Sequence, residues 1–364
     1  MSKTFLCFKV HQPFRISKYS IFSVGHFHDY FIEQREIMEV LAKTCYIPAT
    51  KLLIKLIEKH DDKFKFGLSI SGSTLELFEK YHPDLIDLFK ELINTNKVEL
   101  ISETYNNSLA SEYSLYEFER QINNNNEILK KTFNKKPEIF LNTLGKYNSK
   151  LNQILKKHYK FVLINDESIK QISQENNLIL IPYNNKLSDL INLDFSNKNN
   201  SNYPIDSEKF VKLLSEEENK NLIFDLEIMG EYHRADSGIF KFIEALPEQI
   251  LKNNKFISTT EIKESKKINK IDNLIDKKDE FKTNFIENRM QEEIIYELSK
   301  FDYNNLSEEI LNNLGKLQDI TNIKIMSTNN FNNKPYEHFI SYLNILNDLK
   351  LKIDKEKEVI IQKI

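Results

Sequence analysis

Tryptophan is absent from this chain of 364 residues, and cysteine occurs only twice, as Cys7 and Cys45. Two cysteines cannot build a disulfide framework, and neither belongs to a C-x-x-C pattern. The sequence therefore excludes a disulfide-stapled scaffold and a cysteine-based zinc module. Apolar runs long enough to cross a bilayer are missing too. The formal net charge of -3 provides no basic field that would attract nucleic acid.

The composition that remains is typical of a globular protein, with 40% hydrophobic and 29% charged residues. A chain of this length can bury a large core. Residues 4–10 read as a strand rather than as a secretory leader. We therefore expect a cytoplasmic protein that binds neither a membrane nor nucleic acid, while its protein partners stay unknown.

Strand-like apolar runs alternate along the chain with stretches of helical periodicity. This alternation predicts an α/β fold with a parallel sheet, either open or closed into a barrel. In such folds the chemistry gathers at the carboxyl ends of the strands. The seven strand-like runs span residues 5–11, 64–71, 98–102, 138–141, 161–165, 178–181 and 222–226.

Several segments interrupt this alternation. Pro48 is expected to split the helical stretch 31–60 into two helices. Residues 183–206 are rich in Asn, Ser and Asp, which predicts a long loop or an insertion. Residues 263–282 are rich in Lys and Asp, which predicts a linker.

Beyond this linker only helical patterns occur, at residues 287–301, 307–318 and 336–351. We therefore predict a barrel domain at residues 1–262, a charged linker at 263–283 and a helical region at 284–364.

Polar residues follow the ends of several predicted strands, which favours a single polar pocket at that edge. They include His11 with Gln12, then Glu103, Asn142, and Asp225 with Glu227. Asp225 and Glu227 are two residues apart, so on a strand they would share a face. Close carboxylates drive their pKa values apart, as acid and base roles require. A salt-bridged pair at a strand end would give the same pattern.

A metal site is an alternative, because His26, His28 and Asp29 offer two imidazoles and a carboxylate that His11 could join. This spacing is not that of a structural zinc site, so we expect no metal. Phosphate-binding glycine loops and the G-x-S-x-G elbow are also missing from the sequence. We expect no cofactor.

An ordered series of short segments resembles glycoside hydrolase family 57, and its α-amylase-like branch in particular. The series begins with Cys7-Phe8-Lys9-Val10-His11-Gln12-Pro13-Phe14-Arg15 and returns most clearly between Asp225 and Glu231. It covers nearly the whole chain in the family's order. Other matching segments are residues 45–49, 69–72, 103–105, 108–110, 187–189, 235–240, 288–291 and 339–343.

The resemblance implies a seven-stranded (β/α) barrel, an incomplete TIM-like barrel, followed by a C-terminal helical region. It implies a retaining mechanism on α-glucan or maltooligosaccharide, in which one carboxylate attacks and another serves as acid and base. The acid/base residue of the family matches Asp225, and its sugar-contacting histidine matches His11. By the same resemblance, the residues expected to bind substrate are His11, Gln12, Glu103, Asn142, Glu227 and Glu231.

The chain departs from the family at its reactive positions. Where the family has its nucleophilic glutamate, after Asn142 and Thr143, this chain has Leu144. A leucine can neither attack carbon nor stabilise an oxocarbenium ion. The other departures are Thr321-Asn322 for an Asp-His pair, Asn107 and Tyr232 for histidines, and Arg234 for an aromatic residue.

Three interpretations follow from these departures. The first is a catalytically impaired or inactive family member that binds α-glucan or serves as a scaffold or regulatory partner. The second is an active α-glucan hydrolase or 4-α-glucanotransferase that has recruited Glu103 or Glu227. Carboxyls about 5–5.5 Å apart would suit retention, and about 6.5–9.5 Å would suit inversion. The third is metal chemistry at His11, His26 and His28.

Overall fold

A computed structural model describes residues 2–166, 168–264, 268–271, 286–327 and 334–361. The chain forms two compact units. The first comprises Met1–His11, Arg35–Glu103 and Asn124–Asp276, and the second comprises Gln12–Gln34, Thr104–Asn123 and Lys277–Ile364. None of the described helices combines the length and apolar character that crossing a membrane requires.

The described strands all belong to the first unit. They are β1 (Ser2–Thr4), β2 (Leu6–Val10), β3 (Phe66–Ile70), β4 (Val98–Ser102), β5 (Ile139–Leu141), β6 (Phe161–Ile164), β7 (Ser173–Glu175), β8 (Leu178–Pro182), β9 (Leu222–Asp225), β10 (Asn254–Phe256) and β11 (Asn269–Lys270).

All seven predicted strands are present, as β2, β3, β4, β5, β6, β8 and β9. They lie in the order β8-β6-β5-β4-β3-β2-β9, and each pairs in parallel with its neighbour. Most of their side chains are buried on both faces, and in Phe66–Ile70 every residue is buried. Double-sided burial is the reason that these segments read as continuous apolar runs.

The sheet curls around one apolar interior. A single cluster of buried side chains contains Cys7 of β2, Ile181 of β8 and Ile223 of β9, together with residues of β4, β5 and β6. Strands β8 and β9 are the two ends of the seven-strand series, so their side chains share an interior only if the sheet bends round on itself. The predicted incomplete barrel is confirmed.

Asn221 bridges the seam between the two ends of the series. Its Oδ1 accepts from the backbone N–H of Phe5 at 2.9 Å, and its Nδ2 donates to the carbonyl of Pro182 at 2.8 Å. The carbonyl of Asn221 also accepts from the N–H of Asn184 at 2.8 Å. Because these residues are buried, the bonds satisfy backbone groups that water would not reach.

A helix covers the outer edge of β9. In α7 (Asn185–Asn192), Ser188 and Asn192 are one turn apart and face the strand. Ser188 Oγ accepts from the N–H of Ile223 at 3.1 Å, while Asn192 donates to the carbonyl of Ile223 at 3.1 Å and accepts from the N–H of Asp225 at 3.0 Å. Two side chains thus satisfy an edge that would otherwise be open.

The segment 183–206, predicted as a long loop or an insertion, therefore contains a helix in its first half. Asn184 accepts from the N–H of Leu187 and begins α7 as its N-cap. The abundance of Asn and Ser in this segment reflects capping and edge pairing as well as turns.

The remaining strands extend or flank the barrel. β7 pairs antiparallel with β8, β11 pairs parallel with β7, and β1 pairs parallel with β10. The helices that connect the strands are α1 (Arg35–Leu41), α2 (Ile47–His60), α3 (Gly72–Tyr81), α4 (Pro83–Asn94), α5 (Leu115–Phe133), α6 (Ser149–His158), α7, α8 (Ser207–Glu216), α9 (Ile239–Leu251) and α10 (Thr259–Lys263).

The sequence had predicted that Pro48 splits the segment 31–60 into two separate helices. In the structure the helical stretch is not interrupted there. Instead a π-helical turn, Ala42–Tyr46, joins α1 directly to α2. The N–H of Ile47 donates to the carbonyl of Ala42, five residues earlier. Proline lacks the N–H that would bond the carbonyl of Thr44 and crowds that carbonyl. The wider turn accommodates this clash without ending the helix.

The helical region lies in the second unit and contains α11 (Arg289–Ser299), α12 (Glu308–Leu317), α13 (Ile320–Lys324) and α14 (Pro335–Ile361). The three helices predicted here are present. The short α13 was not predicted, because five residues show no usable periodicity. Most of the predicted linker at 263–283 lies outside the described residues. The domain boundaries at 1–262 and 284–364 stay predictions.

Candidate active site

The carboxyl ends of the seven parallel strands, with the residues that follow them directly, form what we call the barrel mouth. His11 follows β2, Glu103 follows β4, and Leu144 lies in the turn after β5. Asp225 is the last residue of β9. Since all seven strands run in the same direction, these four predicted site residues lie at the same end of the barrel.

A buried charge pair lies at the mouth. Ser69 Oγ donates to Glu103 Oε1 at 2.7 Å, and Lys9 Nζ lies 3.5 Å from Glu103 Oε2. The Glu103 side chain is 1% exposed and that of Lys9 is 15% exposed. Burial costs an ion so much solvation that a carboxylate at such a position requires a partner. Lys9 and Ser69 supply the positive charge and the hydrogen bond.

Asp225 lies beside this pair. In the strand register Lys9 is opposite Ser69 on one side and opposite Asp225 on the other. The Cys7 thiol lies two residues before Lys9 on the same face of β2, and the same charges affect its pKa. Its pKa is raised chiefly by burial and then by the negative charges of Glu103 and Asp225, against a lowering by Lys9. Asp225 itself is partly buried.

The sequence had predicted that Glu227 shares a strand face with Asp225, and this prediction is wrong. β9 ends at Asp225, and Glu227 lies on the 3₁₀ turn Leu226–Ile228. Its Oε1 accepts from the backbone N–H of His11 at 2.9 Å and from the Tyr46 hydroxyl at 2.8 Å. Burial, followed by the charges of Glu231 and Asp225, holds the pKa of Glu227 well above its usual value. A buried carboxyl of this kind favours its protonated form.

The π-helical turn places Tyr46 against Glu227. The carbonyl of Thr44, left without its helical partner by Pro48, points at Gly230, where an added Cβ would lie 2.0 Å from the carbonyl oxygen. Only glycine fits there, and its φ of +111° favours glycine as well. Cys45 Sγ also donates to the carbonyl of Leu226 at 3.8 Å. The turn and the 226–230 loop are thus packed as one piece.

His11 is fixed by the neighbouring strand. Its Nδ1 is hydrogen-bonded to Ser71 Oγ at 2.8 Å, and Ser71 is the N-cap of α3. The same hydroxyl is 2.7 Å from Thr74 Oγ1. The imidazole orientation is therefore set by a buried hydroxyl network rather than by solvent.

Leu144 lies at the tip of a tight turn that several hydrogen bonds hold in place. Asn142 Oδ1 accepts from the N–H of Thr143 at 2.9 Å, and Asn142 Nδ2 donates to the carbonyl of Lys146 at 3.0 Å. Leu144 has a φ of +61°. This left-handed conformation costs a residue with a side chain about 1–2 kcal/mol.

Gly145 ties this turn to the neighbouring strands. A Cβ at Gly145 would lie 2.4 Å from the Tyr183 hydroxyl and 2.7 Å from Asn165 Cβ, just after β8 and β6. The carbonyl of Gly145 accepts from the N–H of Asn165 at 2.8 Å. The turn at the predicted nucleophile position is thus tightly built, although it presents a partly buried leucine.

The loop after Glu227 carries the remaining predicted residues. The N–H groups of Glu231 and Tyr232 both donate to the carbonyl of Glu227, at 3.1 and 2.9 Å. Glu231 is partly buried, and Tyr232 is 47% exposed. Glu231 lies close enough to Glu227 to raise its pKa, so the two carboxyls form a single charge cluster with Asp225.

Comparison with known proteins decides the family. The model of glycosyl hydrolase family 57 matches residues 5–276 of the 364. The chain belongs to this family.

A curated relative from Methanocaldococcus jannaschii, named "Putative alpha-amylase", is 31% identical over an alignment of 262 residues that covers 68% of this chain. The match spans only 56% of that relative's own length.

The GH57-type branching enzyme from Pyrococcus horikoshii has a similar fold, with a TM-score of 0.63 at 12% identity over 94% of this chain and 88% of that one. The alpha-amylase AmyC from Thermotoga maritima gives 0.57 at 14% identity over 96% and 93%. At these identities the likeness shows the fold, and it supports the barrel.

Gln12, Thr321 and Asn322, which the family resemblance singled out, make hydrogen bonds within the second unit. Gln12 Oε1 accepts from Arg15 Nη2 at 2.9 Å. Asn322 is fully buried, and its Nδ2 donates to the carbonyl of Phe14 at 3.0 Å. The N–H of Thr321 donates to Asp319 Oδ1 at 2.9 Å, which caps α13. Asn322 therefore holds the end of the segment that resembles the family's first motif.

The alternative metal site finds no support in the described residues, among which no group of three or more His, Cys, Asp and Glu side chains could hold an ion. His26 and His28 are exposed and stack on one another, with ring centroids 5.8 Å apart. His11 belongs to the other unit and is engaged by Ser71.

Sequence reasoning missed Lys9 and Tyr46. Lys9 lies within the segment that resembles the first family 57 motif. Because it alternates with Cys7 on a buried strand, the sequence could have shown that its charge lies inside the barrel. Nothing in the sequence could have shown that Tyr46 bonds Glu227, because that contact depends on the π-helical turn. The functional roles of the predicted site residues stay predictions.

Proposed function

We propose that this family 57 chain binds α-glucan or maltooligosaccharide at the barrel mouth and is catalytically impaired or inactive as a hydrolase. The observation that carries the proposal is Leu144. It occupies the tip of a turn that hydrogen bonds of Asn142 hold in place, and its own φ is positive. The leucine side chain cannot form a glycosyl–enzyme bond.

The two carboxylates that could replace the nucleophile are both engaged. Glu103 is 1% exposed and is held by Lys9 and Ser69. Glu227 is also 1% exposed, and its Oε1 accepts two hydrogen bonds. A nucleophile must be ionised and reach the anomeric carbon. These contacts argue against recruitment of either group and favour the impaired enzyme over an active hydrolase or glucanotransferase.

The substrate class rests on the relatives. Their names include an alpha-amylase, a branching enzyme and a 4-alpha-glucanotransferase, and one branching enzyme, from Thermococcus kodakaraensis, was solved with glucose. All of these names refer to enzymes of α-linked glucose polymers. We propose the same ligand class for this chain, together with a cytoplasmic location and no nucleic-acid or membrane partner.

The test is to measure binding and turnover on the same preparation. Calorimetric titration with maltooligosaccharide should show binding, while release of reducing sugar from maltooligosaccharides or glycogen should stay at background. Loss of a nucleophile can cost about a millionfold in turnover. Sustained turnover that disappears in Asp225→Asn, but not in Asp87→Asn on α4, where the side chain is 79% exposed, would overturn the impaired-enzyme proposal.

A gain-of-function arm completes the same test. Leu144→Glu returns a carboxylate to the turn, and Leu193→Glu, at a position 67% exposed, adds the same charge elsewhere. We expect little or no hydrolysis from the first and none from the second, since burial without a partner raises the pKa of the new carboxyl. A folded Leu144→Glu variant that neither hydrolyses nor binds glucan would show that the mouth no longer fits the ligand.

A further inference from the structure

We propose that Lys9 is a specificity-determining residue, whose positive charge among the carboxyls of the barrel mouth shifts the preference of the site from cationic towards neutral sugars. The inference rests on the proposed function, in which a sugar binds at the mouth. The preference for neutral sugars would come from the charge of Lys9, and neither Leu144 nor the family membership accounts for it.

The first step is the position of Lys9. In the seven barrel strands, all of which lie in the described part of the chain, Lys9 is the single basic residue. It shares a face of β2 with Cys7, which belongs to the apolar interior of the barrel. Lys9 is one residue from the carboxyl end of β2, so its charge lies at the level of the mouth rather than in the barrel floor.

The second step concerns the partners of this charge. Lys9 Nζ is 3.5 Å from Glu103 Oε2, and Glu103 is fixed from the other side by Ser69 at 2.7 Å. Lys9 is also in register with Asp225, the residue that matches the acid/base aspartate of the family. An ammonium with 15% exposure, held beside that aspartate, cannot swing freely into solvent.

The third step is the charge that the ligand would carry. Glycoside hydrolysis passes through an oxocarbenium-like transition state, which is cationic at the sugar ring. A nucleophilic carboxylate would favour that charge, but Leu144 is neutral. A nearby ammonium opposes it, and in a partly buried site this repulsion is much stronger than in water. Lys9 therefore disfavours the transition state while leaving a neutral ground-state sugar unaffected.

A purely structural role for Lys9, as the counter-ion of Glu103, makes a different prediction. Loss of such a counter-ion would weaken folding and all ligands alike. The diagnostic quantity is therefore the ratio of affinities for a neutral and a cationic ligand of the same shape. Deoxynojirimycin and anhydroglucitol form such a pair, because they differ in a protonated ring nitrogen against a ring oxygen.

The experiment is competition of each compound against a fluorescent maltooligosaccharide bound to the full chain, in mildly acidic buffer. The variants are Lys9→Gln, which keeps a hydrogen-bond donor for Glu103, Lys9→Met, and the charge-conserving Lys9→Arg. Lys55→Met is the matched control, since Lys55 also pairs with a glutamate, Glu244, but its side chain is 65% exposed.

The ratio of the two affinities in the parent chain is the reference. Lys9→Gln and Lys9→Met should shift the ratio towards deoxynojirimycin by at least about tenfold, or about 1.4 kcal/mol, whereas Lys9→Arg and Lys55→Met should not shift it. An unchanged ratio in a folded Lys9→Gln or Lys9→Met variant would overturn the inference and leave the proposed function standing. Absence of maltooligosaccharide binding in the parent and in every variant would overturn the proposed function, and this inference with it.

Discussion

Gly230 offers the sharpest test of how the Glu227 loop is held. In Gly230→Ala the new Cβ would lie 2.0 Å from the carbonyl oxygen of Thr44 and 2.8 Å from its carbon. A carbon and an oxygen approach one another to about 3.3 Å, so the loop or the π-helical turn must move by more than an ångström. Both obstacles are backbone atoms, which cannot rotate away. We expect a steric cost of about 1–3 kcal/mol, in addition to about 1–2 kcal/mol for a side chain at positive φ.

Gly238→Ala separates these two contributions. Gly238 also has a positive φ, of +90°, but a Cβ there would meet nothing within 4 Å. It should carry only the conformational cost, and the change in unfolded-chain entropy is common to both variants. Urea unfolding followed by far-ultraviolet circular dichroism should therefore rank Gly230→Ala below Gly238→Ala. Equal losses of stability would refute the packing of the Thr44 carbonyl against the loop.

Two further predictions concern stability. The pKa of Glu227 is raised in the folded state. Between the ordinary carboxyl pKa and this raised pKa, the folded protein therefore binds more protons than the unfolded chain. The stability of the fold should fall as pH rises through this interval. Glu227→Gln should abolish this fall in thermal melts taken across pH, and it should leave the stability below the ordinary carboxyl pKa unchanged. The exposed control Glu248→Gln should behave like the parent, and a pH profile unaffected by Glu227→Gln would contradict the prediction. Asn221→Ala leaves the N–H of Phe5 and the carbonyl of Pro182 buried without a partner, and at about 1–3 kcal/mol for each group the melting temperature should drop sharply. A loss below about 1 kcal/mol would mean that water replaces the Asn221 side chain.

The barrel could be predicted from the sequence because its strands are buried on both faces. Runs such as Phe161–Ile164 leave little room for another interpretation. Strand ends followed by polar residues then indicated where His11, Glu103 and Asp225 would gather, since parallel strands share one carboxyl end.

The contacts within the site could not be predicted in the same way. Glu227 was placed on a strand by its spacing from Asp225, whereas the chain turns immediately after Asp225. Its partner Tyr46 is 181 residues away in sequence, and only the π-helical turn before Pro48 brings the two together. Residue spacing reports periodicity, and periodicity fails wherever a strand ends or a helix widens.

The seam of the barrel has a consequence for mutational tolerance. A β-ladder is made of backbone groups, so almost any substitution preserves its hydrogen bonds. Along the outer edge of β9 and at the seam, the corresponding bonds come from the side chains of Ser188, Asn192 and Asn221. Closure of the barrel at these points therefore depends on the identity of each of these side chains. The stretches that contain them are polar, and polar stretches ordinarily tolerate substitution. A saturation scan should find these three positions as restrictive as the apolar interior, amid tolerant neighbours.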